Sequence, residues 1–191
     1  MNKIFAAGAV AALAGAASAQ VDLSVELFTD SGLTNPAVNV DPSVNPTLFG
    51  QVTLTGSPVI DSFEFGLESS AGVNQNWNFD AAVVAEYDAF GIGLFNPVIS
   101  GTSIDNIGGA RGFGPGLPGS FVVGTFEVTS LSAPGVLSYS LTDGGFPAAR
   151  ILINNTDQTV NFSSDTVNLI PAPGAAGLLG VAGLAATRRR R

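Results

Sequence analysis

The sequence contains no cysteine and no histidine, and its only lysine is Lys3. Without cysteine there are no disulfides to stabilise an exported chain and no thiolate nucleophiles or metal ligands. Without histidine there are no Ser-His-Asp or Cys-His nucleophile systems, no imidazole proton shuttles and none of the usual zinc and copper sites. Charge is also sparse, at 12% of residues, and it is one-sided. Between Gln20 and Ile170 the only cations are Arg111 and Arg150, set against all fifteen acidic residues, which leaves that stretch at −13. Such a surface repels nucleic acid and anionic headgroups, because binding either depends on neutralising phosphates. It suits a protein kept soluble outside the cell, in saline water, and open to divalent cations. Stability has to come from core burial or from bound ions.

What is present falls into three parts. Residues 1–19 read as a secretory signal peptide: Lys3 supplies the positive start, Ile4 to Ala16 the short apolar run, and Ala17-Ser18-Ala19 the small-residue cleavage site. The mature chain is expected to begin at Gln20. Residues 20–170 have the size of one domain. Residues 171–191 form a tail of different character. Pro171-Ala172-Pro173 cannot donate backbone hydrogen bonds at the prolines and holds the chain extended. Gly174 to Ala186 follows without a charged or hydrogen-bonding side chain, then Thr187 and four arginines, Arg188, Arg189, Arg190 and Arg191. In a bilayer such a run has to be helical, and spanning takes roughly 20 residues. Counted from Leu169 to Thr187 it reaches 19, marginal for a permanent anchor, and the arginines act as a cytoplasmic stop.

A proline motif, an apolar helix and a basic cluster at the extreme C-terminus resemble the PEP-CTERM sorting tails of Gram-negative bacteria. The resemblance covers the last 21 residues and implies an exosortase, a membrane transpeptidase-like enzyme, as processing partner. It also implies secretion to the cell surface or into an extracellular polysaccharide matrix, with matrix polysaccharide or other matrix proteins as further partners. Ala172 stands where the family has its glutamate.

The body reads as all-β. Thr, Ser, Val, Phe, Asn and Gly dominate, and strict alternation recurs. Val21, Leu23, Val25 and Leu27 alternate with polar residues, as do Phe63, Phe65 and Leu67, and Leu137, Tyr139 and Leu141. Leu48, Val52 and Leu54 share one face, opposite Phe49. Val122, Gly124, Phe126 and Val128 oppose Thr125, Glu127 and Thr129. Ile151 and Ile153, Val160 and Phe162, and Val167 and Leu169 complete the series. Turn residues separate the runs, as at Asp30-Ser31-Gly32, Ala133-Pro134-Gly135 and Asp143-Gly144-Gly145. About 8–10 short strands at this spacing predict an antiparallel β-sandwich of jelly-roll or similar type. Ala81 to Ala89 is expected to be a strand or irregular, and Gly108 to Gly119 a long Gly/Pro loop. The order of these strands, with Gly124-Thr125-Phe126-Glu127-Val128 late in the series, resembles cohesin-like sandwiches of secreted bacterial proteins. That resemblance implies a non-catalytic binding or scaffolding module.

Chemistry in such a chain is left to carboxylates and loops. Glu86 and Asp88, two apart, would share a strand face at about 6.5–7 Å, near the spacing of an inverting glycosidase pair; Glu64 and Glu68 read as plain surface positions. Gly114 to Gly119 matches G-x-G-x-x-G by letter, but prolines occupy it and a strand follows, so it is a chance match. Trp77, within Asn74-Gln75-Asn76-Trp77-Asn78, could stack on a sugar with neighbouring amides on its hydroxyls. Calcium is the one candidate cofactor: Asp41 with Asn39 and Asn45, or Asp105 with Asn106, are hard oxygen ligands in loops, without EF-hand spacing. Asn154-Asn155-Thr156 and Asn161-Phe162-Ser163 fit the acceptor sequon. Three functions follow: a non-catalytic surface or matrix module, a carbohydrate-binding module using Trp77, or a carboxylate-based hydrolase.

Overall fold

The computed structural model describes residues 20–88, 93–111, 116–143, 149–153, 156–172 and 174. The chain opens with β1 (Gln20–Phe28), β2 (Asn39–Val40), β3 (Leu48–Ile60), β4 (Ser62–Ser69) and β5 (Val73–Phe79). One helix, α1 (Ala81–Tyr87), is followed by β6 (Val98–Ser100), β7 (Ser103–Ala110) and β8 (Leu117–Thr129). Then come β9 (Gly135–Leu137), β10 (Tyr139–Thr142), β11 (Arg150–Ile153), β12 (Thr156–Asp157), β13 (Thr159–Ser164) and β14 (Val167–Leu169). A five-stranded sheet runs β13-β1-β3-β8-β5, and a second runs β12-β11-β4-β7-β6 with β10 beside β11 on the same edge of β4. A small third sheet, β2-β14-β9, closes one edge.

The alternation places the core between the two large sheets. Val21, Leu23, Val25, Leu27, Leu48, Val52, Leu54 and Phe126 point inward from the first sheet, and Phe63, Phe65, Leu67, Ile104, Ile107 and Ile151 from the second, all buried. The structure is therefore the expected all-β sandwich in its broad form. It differs in detail. Fourteen strands stand among the described residues rather than 8–10, because two- and three-residue strands with little alternation of their own close the edges. The sandwich is mixed rather than antiparallel: β1 pairs β13 in parallel, Gln20↔Thr159 to Val25↔Ser164, and β14 pairs β2 in parallel. Parallel neighbours need a long crossover, and here nearly the whole body lies between β1 and β13.

Three local expectations are overturned. Ala81 to Tyr87 is a helix, because the Asp80 carboxylate caps it by accepting the Ala82 N–H at 2.8 Å, and Val83 and Tyr87, one turn apart, are both buried. The Tyr87 ring meets Phe63 edge-on at 5.2 Å, and its hydroxyl donates to Ile60 O at 2.8 Å. Of the Gly108 to Gly119 loop, Gly108 to Ala110 belongs to β7 and Leu117 opens β8. On β8, pairing passes from Val52↔Gly124 to Thr53↔Val122, so Val123 is an inserted bulge residue. It reverses the phase: Val123 is buried, and Val122 is only half-buried.

Leu169 ends β14 as a buried core residue, and Ile170 N–H donates to Val40 O at 2.8 Å. An apolar run counted from Leu169 therefore begins inside the sandwich, and the tail's own run starts only after the prolines. Among the described residues no helix is long and apolar enough to cross a membrane. The signal peptide, with Ala17 and Ala19, lies outside the described residues, as do Pro173 and nearly all the tail, including Arg188, Arg189, Arg190 and Arg191.

Candidate functional site

On β4, inward Phe63, Phe65 and Leu67 alternate with Ser62, Glu64, Gly66 and Glu68 on the outer face of the second sheet. The register places Glu64 between Arg150 on β11 and Gly108 on β7. Gly108 matters here because a Cβ on it would come within 2.3 Å of the Phe95 ring. The ring therefore rests directly on the sheet, held by the Phe95 N–H donating to Gly108 O at 2.9 Å. Glu64 is thus walled by an aromatic ring on one side and a guanidinium on the other. Its Oε1 is buried and has no hydrogen-bond partner. Burial raises its pKa above the usual carboxylate value, opposed by Arg150. Arg150 is committed elsewhere: its Nη2 lies 3.1 Å from Asp157 Oδ2, and Nε donates to the same carboxylate. Ser62, Glu64, Phe95, Arg150 and Leu152 line a depression of about 100 Å³.

Further along the same face, Glu68, Ser70, Thr102, Ser138 and Ser140 line an open cleft of about 450 Å³. Its floor is rigid. Tyr139 O–H donates to Asn74 Oδ1 at 2.5 Å, Asn74 Nδ2 to Thr102 O at 2.6 Å, and Ser69 Oγ to Thr102 O at 3.1 Å. Burial pushes the Tyr139 hydroxyl far above its ordinary pKa, so it stays neutral. The body's other cation, Arg111, pairs with Asp61 at 2.6 Å, just before β4. This face can offer acceptors, hydroxyls and one ring to a partner. Beside Glu68, Ser103 Oγ donates to Asp105 Oδ2 at 3.0 Å, and no three metal-ligating side chains converge among the described residues.

The structure treats the other candidates differently. A bulge at Gln75/Asn78, with Asn76 at φ 53°, turns the Trp77 indole inward. The ring stacks on Phe126 at 6.2 Å and 10°, sits over Gly124, and its Nε1 is buried. A face already occupied by Phe126 is not free to stack on a sugar. Glu86 and Asp88 share no strand face: Glu86 is on α1 and accepts the Gly116 N–H, and Asp88 is the helix C-cap. Asp41 Oδ1 is taken by the Ser43 amide and hydroxyl, and Asn39 Oδ1 by Asn168. Asp105 accepts from Ser103, and Asn106 donates to Asn96 O. Gln20 is the first residue of β1, Pro171 and Ala172 follow β14 without regular structure, and Asn161 bonds Asp22 on β1. Glu64, read as plain surface, gains its setting from Phe95, 31 positions away, and no local signal marks it.

The sequence matches no protein-family model and no curated protein. Solved structures do match. A non-cellulosomal cohesin from the hyperthermophilic archaeon Archaeoglobus fulgidus aligns with a TM-score of 0.54 at 12% identity, covering 83% of this chain and 96% of that one. The fold is cohesin-like. A cohesin of Clostridium acetobutylicum aligns at 0.54 and 13% identity over 80% and 92% of the two chains. The sixth cohesin of Acetivibrio cellulolyticus scaffoldin B, solved in complex with a Cel5 dockerin, aligns at 0.51 and 13% over 78% and 99%. At these identities the likeness is one of fold.

Proposed function

We propose that the body is an exported, non-catalytic binding module of the cell surface or matrix. It is sorted through its PEP-CTERM-like tail by an exosortase-type enzyme, and it docks a protein partner on the outer face of the second sheet. The observation that carries the docking face is Glu64, a desolvated carboxylate with a buried, unpartnered oxygen on a solvent-facing sheet. That oxygen is shut off from solvent, so a partner's N–H or O–H meets the half-exposed carboxylate from its open side and offsets part of the cost of the unpaired acceptor. The cohesin-like fold supports the reading, since the Acetivibrio module with this fold was solved with a dockerin bound. The aromatic Phe95, the hydroxyls around Ser138 and Ser140, and Glu68 suit a partner that presents donors and a small apolar contact.

A photo-crosslinking residue at Ser140 on this face, or at Thr53 on the first sheet, tests the proposal in secreting cells. A protein adduct should form from Ser140, be absent from Thr53, and be lost in Glu64→Lys. Equal adducts from both positions, or none from Ser140, would overturn it.

A further inference from the structure

The outer face of the first sheet differs in chemistry from the face just described. Across its strands the register aligns Glu26, Gln51, Thr125 and Asn78 in one row, and Ser24 with Thr53 beside it. Among the described residues this face carries no cation, and none of the exposed large hydrophobic residues lies on it. Protein interfaces draw on a desolvated apolar centre, so this face is poorly suited to one. Its rings are Phe28 and, directly across from it, Phe49; Phe28 is buried, and Phe49 is the half-buried one that reaches the surface, opposite buried Leu48 and Gly50.

Beside that ring is a groove of about 190 Å³, lined by Ser31, Leu33, Phe49, Asn76, Asn78 and Glu127 among others. Its polar wall is pre-set. The bulge on β5 puts Asn76 at φ 53°, a conformation asparagine tolerates. Asn76 Nδ2 donates to Glu127 Oε2 at 2.8 Å, and Asn78 Nδ2 donates to Asn76 O at 2.8 Å. Both asparagines are exposed and line the groove. An apolar ring bordered by fixed amides, hydroxyls and one carboxylate matches a ligand with a C–H face and a rim of hydroxyls. The absence of cations on this face and the body's charge of −13 select against an acidic polymer.

We propose that the groove beside Phe49 is a binding subsite for a neutral polysaccharide. It deepens the matrix-associated part of the reading above and does not depend on the docking face. Affinity electrophoresis of the exported protein, in native gels containing hydroxyethylcellulose or polygalacturonate, tests it, with a glycan array of neutral and acidic saccharides alongside. Retardation is expected in the neutral polymer only. Phe49→Ala and the exposed double change Asn76→Ala/Asn78→Ala should each weaken it at least tenfold with the thermal midpoint unmoved for the double change, while Phe49→Tyr, which keeps the ring, and Val44→Ala, exposed and outside the groove lining, should leave it intact. Retardation that survives both groove variants would overturn the subsite while leaving a matrix-binding protein. Retention by the acidic polymer alone, or by no saccharide, would overturn the subsite and the polysaccharide reading together.

Discussion

Phe126 is the side chain on which the sandwich most visibly depends. It is 1% exposed, stacks on Trp77 of β5 at 6.2 Å, and meets Tyr139 of β10 edge-on at 5.2 Å, so one ring ties two strands of the first sheet to the second. It also lies flat on β3: a Cβ at Gly50 would come within 2.1 Å of its Cζ. Phe126→Ala should cost about 3–5 kcal/mol, the transfer free energy of the ring plus an unfilled cavity between two sheets. Each lost aromatic pair adds about 0.5–1.5 kcal/mol beyond area. Gly50→Ala alone should cost about 1–3 kcal/mol by overpacking. Placed on Phe126→Ala it should cost far less, because the atom it strikes is gone, giving a coupling of about 1–2 kcal/mol. Urea unfolding followed by the emission of Trp77, the only tryptophan, and by circular dichroism measures all four species. A loss under about 1 kcal/mol for Phe126→Ala, or additivity of the two changes within about 0.3 kcal/mol, would refute the packing described.

Other outcomes follow from the same geometry. Glu64 titrates above its ordinary value in the folded state, so the folded chain holds this proton to higher pH than the unfolded chain does. Its contribution is fully present below the unfolded pKa and is lost as pH rises through the raised folded value. Glu64→Gln should therefore flatten the stability profile just above the ordinary carboxylate range and gain relative to wild type as pH rises; a parallel profile would refute the desolvation. The β8 bulge predicts that Val123→Asp prevents folding while Val122→Asp costs under about 1 kcal/mol, since only the former buries a charge; thermal melts showing equal losses would mean the phase does not change there. For the tail, Pro171→Ala/Pro173→Ala should accumulate full-length protein in the membrane fraction. Replacing Arg188 to Arg191 with glutamine should release unprocessed protein. Fractionation indistinguishable from wild type for both would remove the sorting signal.

Much of the fold was legible because period-two alternation is a local property. Val21 to Leu27, Leu48 to Leu54 and Phe63 to Leu67 can bury one face only as strands. The chain's lack of cysteine and histidine likewise bounded its chemistry without any coordinates. Tertiary structure decided what alternation does not carry. Asp80 could have announced α1 as an N-cap, but choosing helix over strand required the pocket that receives Val83 and Tyr87. The bulges at Val123 and Asn76 shift phase by one residue, and a one-residue shift sends a side chain to the opposite face. For that reason Val123 replaced Val122 in the core, and Trp77, which reads as exposed between asparagines, turned inward onto Phe126. Pairing decided the rest. Glu64 acquires its desolvation from Phe95 and Arg150, and the groove beside Phe49 its wall from Asn76, Asn78 and Glu127, all through neighbours far away in sequence. The sequence by itself determined the all-β class and its acidic surface, because composition and period are written residue by residue. Which outward residues stand together was settled only when β4 met β7 and β11, and β8 met β5, because register is a property of pairs of strands.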